Sequence, residues 1–362
     1  MTRILRRTLL GLLLLAGVAL AAVLIWRDTL VNRLVQSQAV PRMSGAMFTE
    51  LPDGLHVRLC GAGSPMPDPR RAGPCTLVIA GDRVFVVDIG SGAAGNIGMM
   101  GVPYAALEAV LLTHFHSDHI DGLGELLMQR WAAGQHAAPM PVIGPIGVGE
   151  VVAGFNQAYR QDFGYRVAHH GADVMRPSGA GGVAQPFAPP AANSDRIILD
   201  EAGLRITAFQ VEHPPIEPAV GYRFDYAGRS VVISGDTAPS RNLERVAQGA
   251  DLLIHEALSP DVLKVMRAAA VGAGNAQLVQ IFDDIPDYHT TPVQAAQSAS
   301  TAGVRHLLYH HIVPALPARP LERIFMRDAD RHFAGPITLG EDGTAIDMPR
   351  GSTDIRVFNA LP

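Results

Sequence analysis

Within Thr113-His114-Phe115-His116-Ser117-Asp118-His119-Ile120-Asp121-Gly122, three imidazoles and a carboxylate fall in six consecutive positions. Neutral imidazole nitrogen and carboxylate oxygen are ligand types that zinc accepts, and a turn can aim alternate side chains at two nearby ions. A polar loop with incidental histidines has no reason to hold these residue types at the four fixed positions of H-x-H-x-D-H. The chemistry such a cluster supports is hydrolysis, in which a divalent cation acidifies water and stabilises charge on oxygen. Further donors follow apolar runs later in the chain: His213 after Val211-Glu212, Asp236 in Ser234-Gly235-Asp236-Thr237, and His310-His311 after Leu307-Leu308-Tyr309. A carboxylate closing a buried strand such as Val231-Val232-Ile233 is costly unless paired or metal-bound.

The ten-residue stretch resembles the signature of the metallo-β-lactamase fold, and the resemblance spans roughly residues 55–340. It implies two zinc ions, with manganese or iron as alternatives. His114, His116 and His213 would hold one ion, Asp118 and His119 the other, and Asp236 would bridge them. His311 fits the remaining ligand, since it precedes Ile312 directly after the strand, and His310 is the runner-up. Leu253-Ile254-His255-Glu256-Ala257 and His289-Thr290-Thr291-Pro292 resemble the H-E-A and H-T/S-T/S elements of the tRNase Z and arylsulfatase-like branch. By that resemblance His289 would protonate the leaving oxygen, Glu256 would tune it, and Asp118 would serve catalysis as well as metal. Val87-Asp88-Ile89-Gly90 resembles the family's Asp-x-Gly element, which supports the metals without binding them. His255 reads as structural, and His169-His170 as pocket-lining or structural.

To bring these side chains together, several strands must end side by side. The run Ala109-Val110-Leu111-Leu112 reads as a short buried strand leading into the histidine motif. Strands are also expected over 56–60, 204–211, 220–226 and 230–234, with 76–80 and 84–88 forming a hairpin around Gly81-Asp82. Residues 305–309 read as the last buried strand of the core. Helices are expected over 122–133, 148–165, 292–302 and 321–333, the third with Pro at its first turn and Gly303 at its end. The Ala/Gly/Pro-rich segment 176–193 reads as an exposed loop. Pattern alone gives α/β; the resemblance implies a four-layer αββα sandwich with the metals at one edge.

From Leu9 to Trp26 no residue is charged, about 27 Å of helix and enough to cross a bilayer core. Arg3, Arg6 and Arg7 precede it, so the N-terminus is expected to stay in the cytoplasm and the remainder to be exported, into the periplasm of a Gram-negative cell. A cleaved signal peptide with Ala19-Leu20-Ala21 at its site is the rival. An uncleaved anchor is preferred because Val23-Leu24-Ile25-Trp26 prolongs the apolar run. The expected organisation is an anchor helix over 1–26, a juxtamembrane linker over 27–54, a hydrolase domain over 55–348 and a tail over 349–362. Leu30, Val31, Leu34 and Val35 share a helical face, so the anchor is expected to extend until Pro41 stops it. Cys60 and Cys75, the only cysteines, flank a loop on adjacent strands; two buried free thiols are expected over a disulfide.

The first 40 residues hold five arginines against Asp28 alone, so the net charge of −5 falls on a remainder that is more acidic still. Such a domain has no global attraction for nucleic acid. The preferred function is therefore a membrane-anchored, dinuclear zinc hydrolase of small phosphate or sulfate esters. A tRNA 3′-processing endoribonuclease and a non-catalytic metal-binding or ligand-sensing module are the alternatives. The expected partners are a small-molecule ester, the membrane and, as in relatives, a second copy of the chain.

Overall fold

The computed structural model describes residues 2–45, 48 and 50–362. Met1 of the expected anchor and Ala46, Met47 and Thr49 of the expected linker lie outside the described residues. A single helix, α1, runs Thr2–Ser44, continuing past Pro41 where the sequence suggested a stop. Among the described residues, the most apolar part of its stretch Leu5–Ser37 is not buried.

Beyond it, two sheets face each other. The first has eight strands in the order β15-β14-β1-β2-β3-β4-β5-β6. These are β1 (Gly54–Gly61), β2 (Cys75–Ala80), β3 (Arg83–Val87), β4 (Leu107–Leu111), β5 (Met140–Pro145), β6 (Gly182–Phe187), β14 (Thr344–Pro349) and β15 (Arg356–Asn359). The second has seven, in the order β13-β12-β11-β10-β9-β8-β7. These are β7 (Asp195–Glu201), β8 (Leu204–Gln210), β9 (Val220–Tyr226), β10 (Arg229–Ile233), β11 (Leu252–Leu258), β12 (His306–Val313) and β13 (Ile337–Leu339). In each sheet one half is antiparallel and the other parallel: β3 to β6 run parallel in the first, β10 to β13 in the second.

Alternation along the strands explains the layers. Val57, Val78 and Phe85 meet Phe224, Val231 and Ile254 between the sheets. Their neighbours Leu77, Ile79 and Val86 turn outward beneath α2 (Ala93–Met99), α4 (Leu123–Gly134) and α5 (Val148–His170). The second sheet's outer residues, such as Val232, Leu253 and Leu307, lie beneath α6 (Arg241–Val246), α9 (Pro292–Ala302) and α10 (Arg319–Phe325). Strands buried on both faces need unbroken apolar runs, which is what these segments carry. Each fully buried side chain of this size contributes roughly 1.5–3 kcal/mol. The expected αββα layering is present.

Several expectations fail for physical reasons. The segment 176–193 is not all loop, since Gly182–Phe187 pairs in parallel with β5. It lies at a sheet edge with only Gly182 and Phe187 buried, so it shows no alternation and tolerates Pro186. Residues 305–309 are not the last core strand. Strand β14 returns to the first sheet between β1 and β15, and β15 lies within the supposed tail. The expected helix over 321–333 ends at Phe325, and Asp328 turns the chain with φ +65°. Cys60 and Cys75 form a disulfide rather than free thiols. A register shift between Leu59 and Gly61 sets Gly61 against Cys75 and brings the two cysteine Cα atoms to 5.0 Å, well within bonding range.

Candidate metal centre

Ligands in open α/β sheets gather beyond the carboxyl ends of parallel strands, and the titratable cluster lies there. Strand β4 leads into His114, His116 and the short helix α3 (Ser117–Ile120), which carries Asp118 and His119. Asp88 follows β3, His213 follows β8, Asp236 follows β10, and Glu256 and His311 belong to β11 and β12. Close backbone packing holds these ends together. A Cβ on Gly90 would stand 2.3 Å from the Asp118 carbonyl oxygen, and one on Gly235, at φ +63°, would stand 2.7 Å from that of Val220.

Two overlapping groups of donors converge. His114 Nε2 lies 3.0 Å from His116 Nδ1, which lies 3.4 Å from His213 Nε2. Asp236 Oδ2 closes the group at 3.8 Å from His114 Nε2 and 4.0 Å from His213 Nε2. The second group is Asp118, His119 and His311, with His311 Nε2 3.2 Å from Asp118 Oδ2. Asp236 Oδ2 is also 3.3 Å from His119 Nε2 and 3.2 Å from His311 Nε2. That one oxygen therefore faces both groups. All seven expected ligands converge.

The hydrogen bonds behind the ligands fix which nitrogen each presents. Asp88 accepts from Thr113 N, Thr113 Oγ1 and His119 Nδ1, each at 2.8 Å. Thr113 Oγ1, its proton given to Asp88, can then accept from His114 Nδ1 at 3.0 Å. His213 Nδ1 donates to the Tyr288 carbonyl at 3.0 Å. In His114, His119 and His213 the Nε2 lone pair is thereby left facing the centre, as metal-ligating histidines require, whereas His116 presents Nδ1. The sequence marked Asp88 as a support but gave no sign of the Tyr288 carbonyl.

Divalent cations fit this set. Ligands about 2.0–2.1 Å from a tetrahedral zinc stand roughly 3.4 Å apart, close to the spacing of the histidine nitrogens. Burial pushes His114, His116 and His213 below the usual imidazole pKa, which keeps them neutral as ligands must be. Burial also opposes charge on His119, yet Asp236, Asp118 and Asp88 raise its pKa well above the usual value. The carboxylates thus create a field that draws positive charge. Asp236 Oδ1, His119 Nε2 and His311 Nδ1 are buried without hydrogen-bond partners.

The choice between His310 and His311 is made by a β-bulge. Glu256 pairs with His310 and Ala257 with Ile312, so His311 is the extra residue, at φ +44°. Bulges re-aim side chains beside active sites. His310 is buried with both ring nitrogens unpartnered and belongs to neither group; burial pushes it down to about 3.

His289 Nδ1 lies 3.1 Å from Glu256 Oε1, and its ring belongs with Asp236 and His311 in a third group of donors. Glu256 Oε1 also accepts from Thr237 N at 3.2 Å and Thr290 N at 3.0 Å, so the carboxylate is fixed. Burial disfavours charge on His289, but Glu256 outweighs it and raises the pKa to about 9. Glu256 thus fixes the orientation of the His289 ring. His255 bonds only the Glu256 carbonyl, as expected of a structural histidine. His169 and His170 end α5 exposed to solvent.

This fold and this donor set define a metallo-hydrolase. The family described as "Beta-lactamase superfamily domain" matches residues 101–312, and "Anti-Pycsar protein Apyc1" matches residues 55–142. "Ribonuclease Z" of Mycobacterium avium is 41% identical over 290 residues, 80% of this chain and 96% of its own. Among solved structures, the metallo-beta-lactamase fold protein YhfI of Bacillus subtilis superimposes with a TM-score of 0.57 at 20% identity, covering 82% of this chain and all of its own. The short form of human tRNase Z gives 0.55 at 20% identity, covering 81% and 99%. The chain belongs to the β-lactamase superfamily, with the ribonuclease Z proteins as its relatives.

Proposed function

We propose that the chain is a metal-dependent phosphodiesterase of the ribonuclease Z type, cleaving phosphodiester bonds of RNA with two divalent cations, zinc first among them. The observation that carries this reading is His289, held charged beside the shared carboxylate Asp236 and fixed by Glu256. A phosphodiester has a poor leaving group, so a positioned acid is worth most there. Bound by the seven ligands, the cations would supply Lewis acidity and acidify water near neutral pH. The chain's own residues do the rest. Glu256 keeps a proton on His289 Nδ1, leaving Nε2–H to face the leaving oxygen. Asp88 and the Tyr288 carbonyl hold the imidazoles in register. Asp118 and Asp236 keep a focused negative field at the centre.

The test is turnover of bis(p-nitrophenyl) phosphate, an oligoribonucleotide and a 3′-extended tRNA precursor by the zinc-loaded full chain. His289→Ala should lower turnover roughly 10²–10⁴-fold, the range for loss of a general acid, with metal content unchanged. Hydrolysis that survives His289→Ala intact would refute the assignment. A second reading, hydrolysis of small phosphate or sulfate esters, is favoured because Arg70 and Arg71, the cations lining the cleft beside Asp118, are both engaged by carboxylates. p-Nitrophenyl sulfate added to the panel decides it.

A further inference from the structure

Between the metal loop and residues 64–73 opens a cleft of about 1060 Å³, with Asp118 and Asp121 on one side and Arg70 and Arg71 on the other. Both arginines are already engaged. Arg70 donates to Glu322 at 2.5 Å, Glu341 at 2.6 Å and the Leu316 carbonyl at 2.7 Å. Arg71 donates to the Gly340 carbonyl and to Asp68, leaving Nη2 buried without a hydrogen-bond partner. Ser64 Oγ is likewise buried and unpartnered, and it lines the same cleft. Asp68, Asp121, Glu341 and Asp342 outnumber the two arginines in the lining. Gripping a long polyanion takes several free Lys or Arg contacts to phosphate. The whole chain has one lysine, Lys264. Arg71 Nη2 and Ser64 Oγ are themselves buried, and Arg71 Nη2 also lies 3.9 Å from Glu322 and 3.8 Å from Glu341, so the cleft has donors for at most a single phosphate beyond the scissile one.

Two independent features bear on where this cleft works. The uncharged run Leu9–Trp26 lies inside a 43-residue helix whose most apolar part is not buried among the described residues, and it matches the thickness of a bilayer core. Three arginines precede it, and the residues after it form a helical stalk of about 27 Å. Separately, Cys60 and Cys75 are joined, both fully buried, at the base of the loop that walls the cleft. Structural disulfides persist in oxidising compartments and are rare in the cytosol. The bridge is tied to the centre itself: Gly90 N donates to the Pro74 carbonyl, and Gly73 and Gly90 pack against the Asp118 backbone.

We infer that α1 tethers the enzyme to a membrane with the catalytic domain on the oxidising, non-cytoplasmic side, and that it cleaves short phosphodiesters there rather than folded RNA. The substrate half rests on the phosphodiesterase reading above; the topological half does not.

Two measurements on the full chain test the two halves. In cells, a C-terminal alkaline phosphatase fusion should be active in the membrane fraction, and both cysteines, which are buried in the folded chain, should still resist maleimide after rapid denaturation of the protein until a reductant is added. An inactive fusion, freely alkylated cysteines, or a soluble mature chain beginning after Ala21 would overturn the tethered, exported topology. In detergent, the zinc-loaded chain should cleave a four-nucleotide RNA with kcat/KM at least about tenfold above that for a 3′-extended tRNA precursor. Its log KM should change with log salt by a slope of only about 1 to 2, the mark of one or two phosphate contacts. A preference for the tRNA precursor, or a much steeper slope, would overturn the substrate class. No turnover of either RNA or of bis(p-nitrophenyl) phosphate would refute the phosphodiesterase reading and the substrate half with it. The fusion and the alkylation decide the topology regardless.

Discussion

Asp88→Asn is the sharpest test of how the second-group ligands are held. Asp88 is buried, and its Oδ2 accepts from both Thr113 Oγ1 and His119 Nδ1 at 2.8 Å, while Oδ1 accepts from Thr113 N. Asparagine keeps the shape and tolerates the φ of +56° that this residue adopts. Its Oδ1 can stay on Thr113 N, but an NH2 would replace Oδ2 and confront two donors. His119 could then satisfy Nδ1 only as an acceptor, which moves its proton to Nε2 and removes the lone pair a metal needs. Loss of such a support typically costs 10–100-fold in metal affinity, or about 1.4–2.7 kcal/mol. Thr113 Oγ1 can still accept from His114 Nδ1, so the His114, His116 and His213 group should weaken far less. Chelator-competition titration of zinc, with circular dichroism to confirm the fold, reads both affinities. Two unchanged affinities in a folded Asp88→Asn protein would refute the reasoning.

Other predictions follow from the same geometry. Glu256→Gln removes the carboxylate that raises His289 to about 9 while burial still lowers it, so the alkaline limb of the rate–pH profile should move to lower pH; an unmoved limb would show that another group carries it. In the metal-free protein, His289 has a folded pKa above its ordinary 6.5, so its stabilising contribution should be complete below that value and lost as pH rises through about 9, read by urea midpoints across that range. Tyr222→Phe deletes the hydroxyl that donates to the Leu112 carbonyl at 2.7 Å in a fully buried setting, and should cost about 1–3 kcal/mol in denaturant unfolding. Replacing both Cys60 and Cys75 by alanine opens a link between residues 15 apart, with an expected loss of about 3 kcal/mol measured the same way.

The centre was legible because most of its ligands are set by short-range spacing. His114, His116, Asp118 and His119 share one turn, and the strands feeding that turn are buried on both faces, so their apolar runs are unbroken. Helix α9 announced itself in the same local way, through Pro292 at its first turn and Gly303 at its close, and the structure adds a Thr291–Gln294 capping box. Edge strands gave no such signal. Strand β7 is mostly exposed and β6 buries only its two ends, so neither needed a pattern that could be read. Strand β14 was missed because its partner β1 lies almost 300 residues earlier and no local feature encodes that return, and β15, which pairs with β14, was missed with it.

The sequence was weakest where the sheet ladder slips by one residue, and two such slips decide chemistry. The shift between Leu59 and Gly61 brings Cys75 opposite the end of β1 and makes the disulfide possible. The shift after Glu256 inserts His311 as an unpaired residue in β12. In a regular strand, neighbouring side chains point to opposite faces, and both faces of β12 are buried, so His310 and His311 could not be ranked by burial pattern alone. At the bulge, His311 leaves the ladder at φ +44° and meets Asp118 and Asp236, while His310 stays in the buried strand. Deleting that extra residue should restore the ladder and remove a ligand from the second group at once. A bulge keeps the packing of β11 against β12 while turning one side chain toward the metals, and this is why a site so local in its histidine motif still depends on a strand nearly 200 residues away.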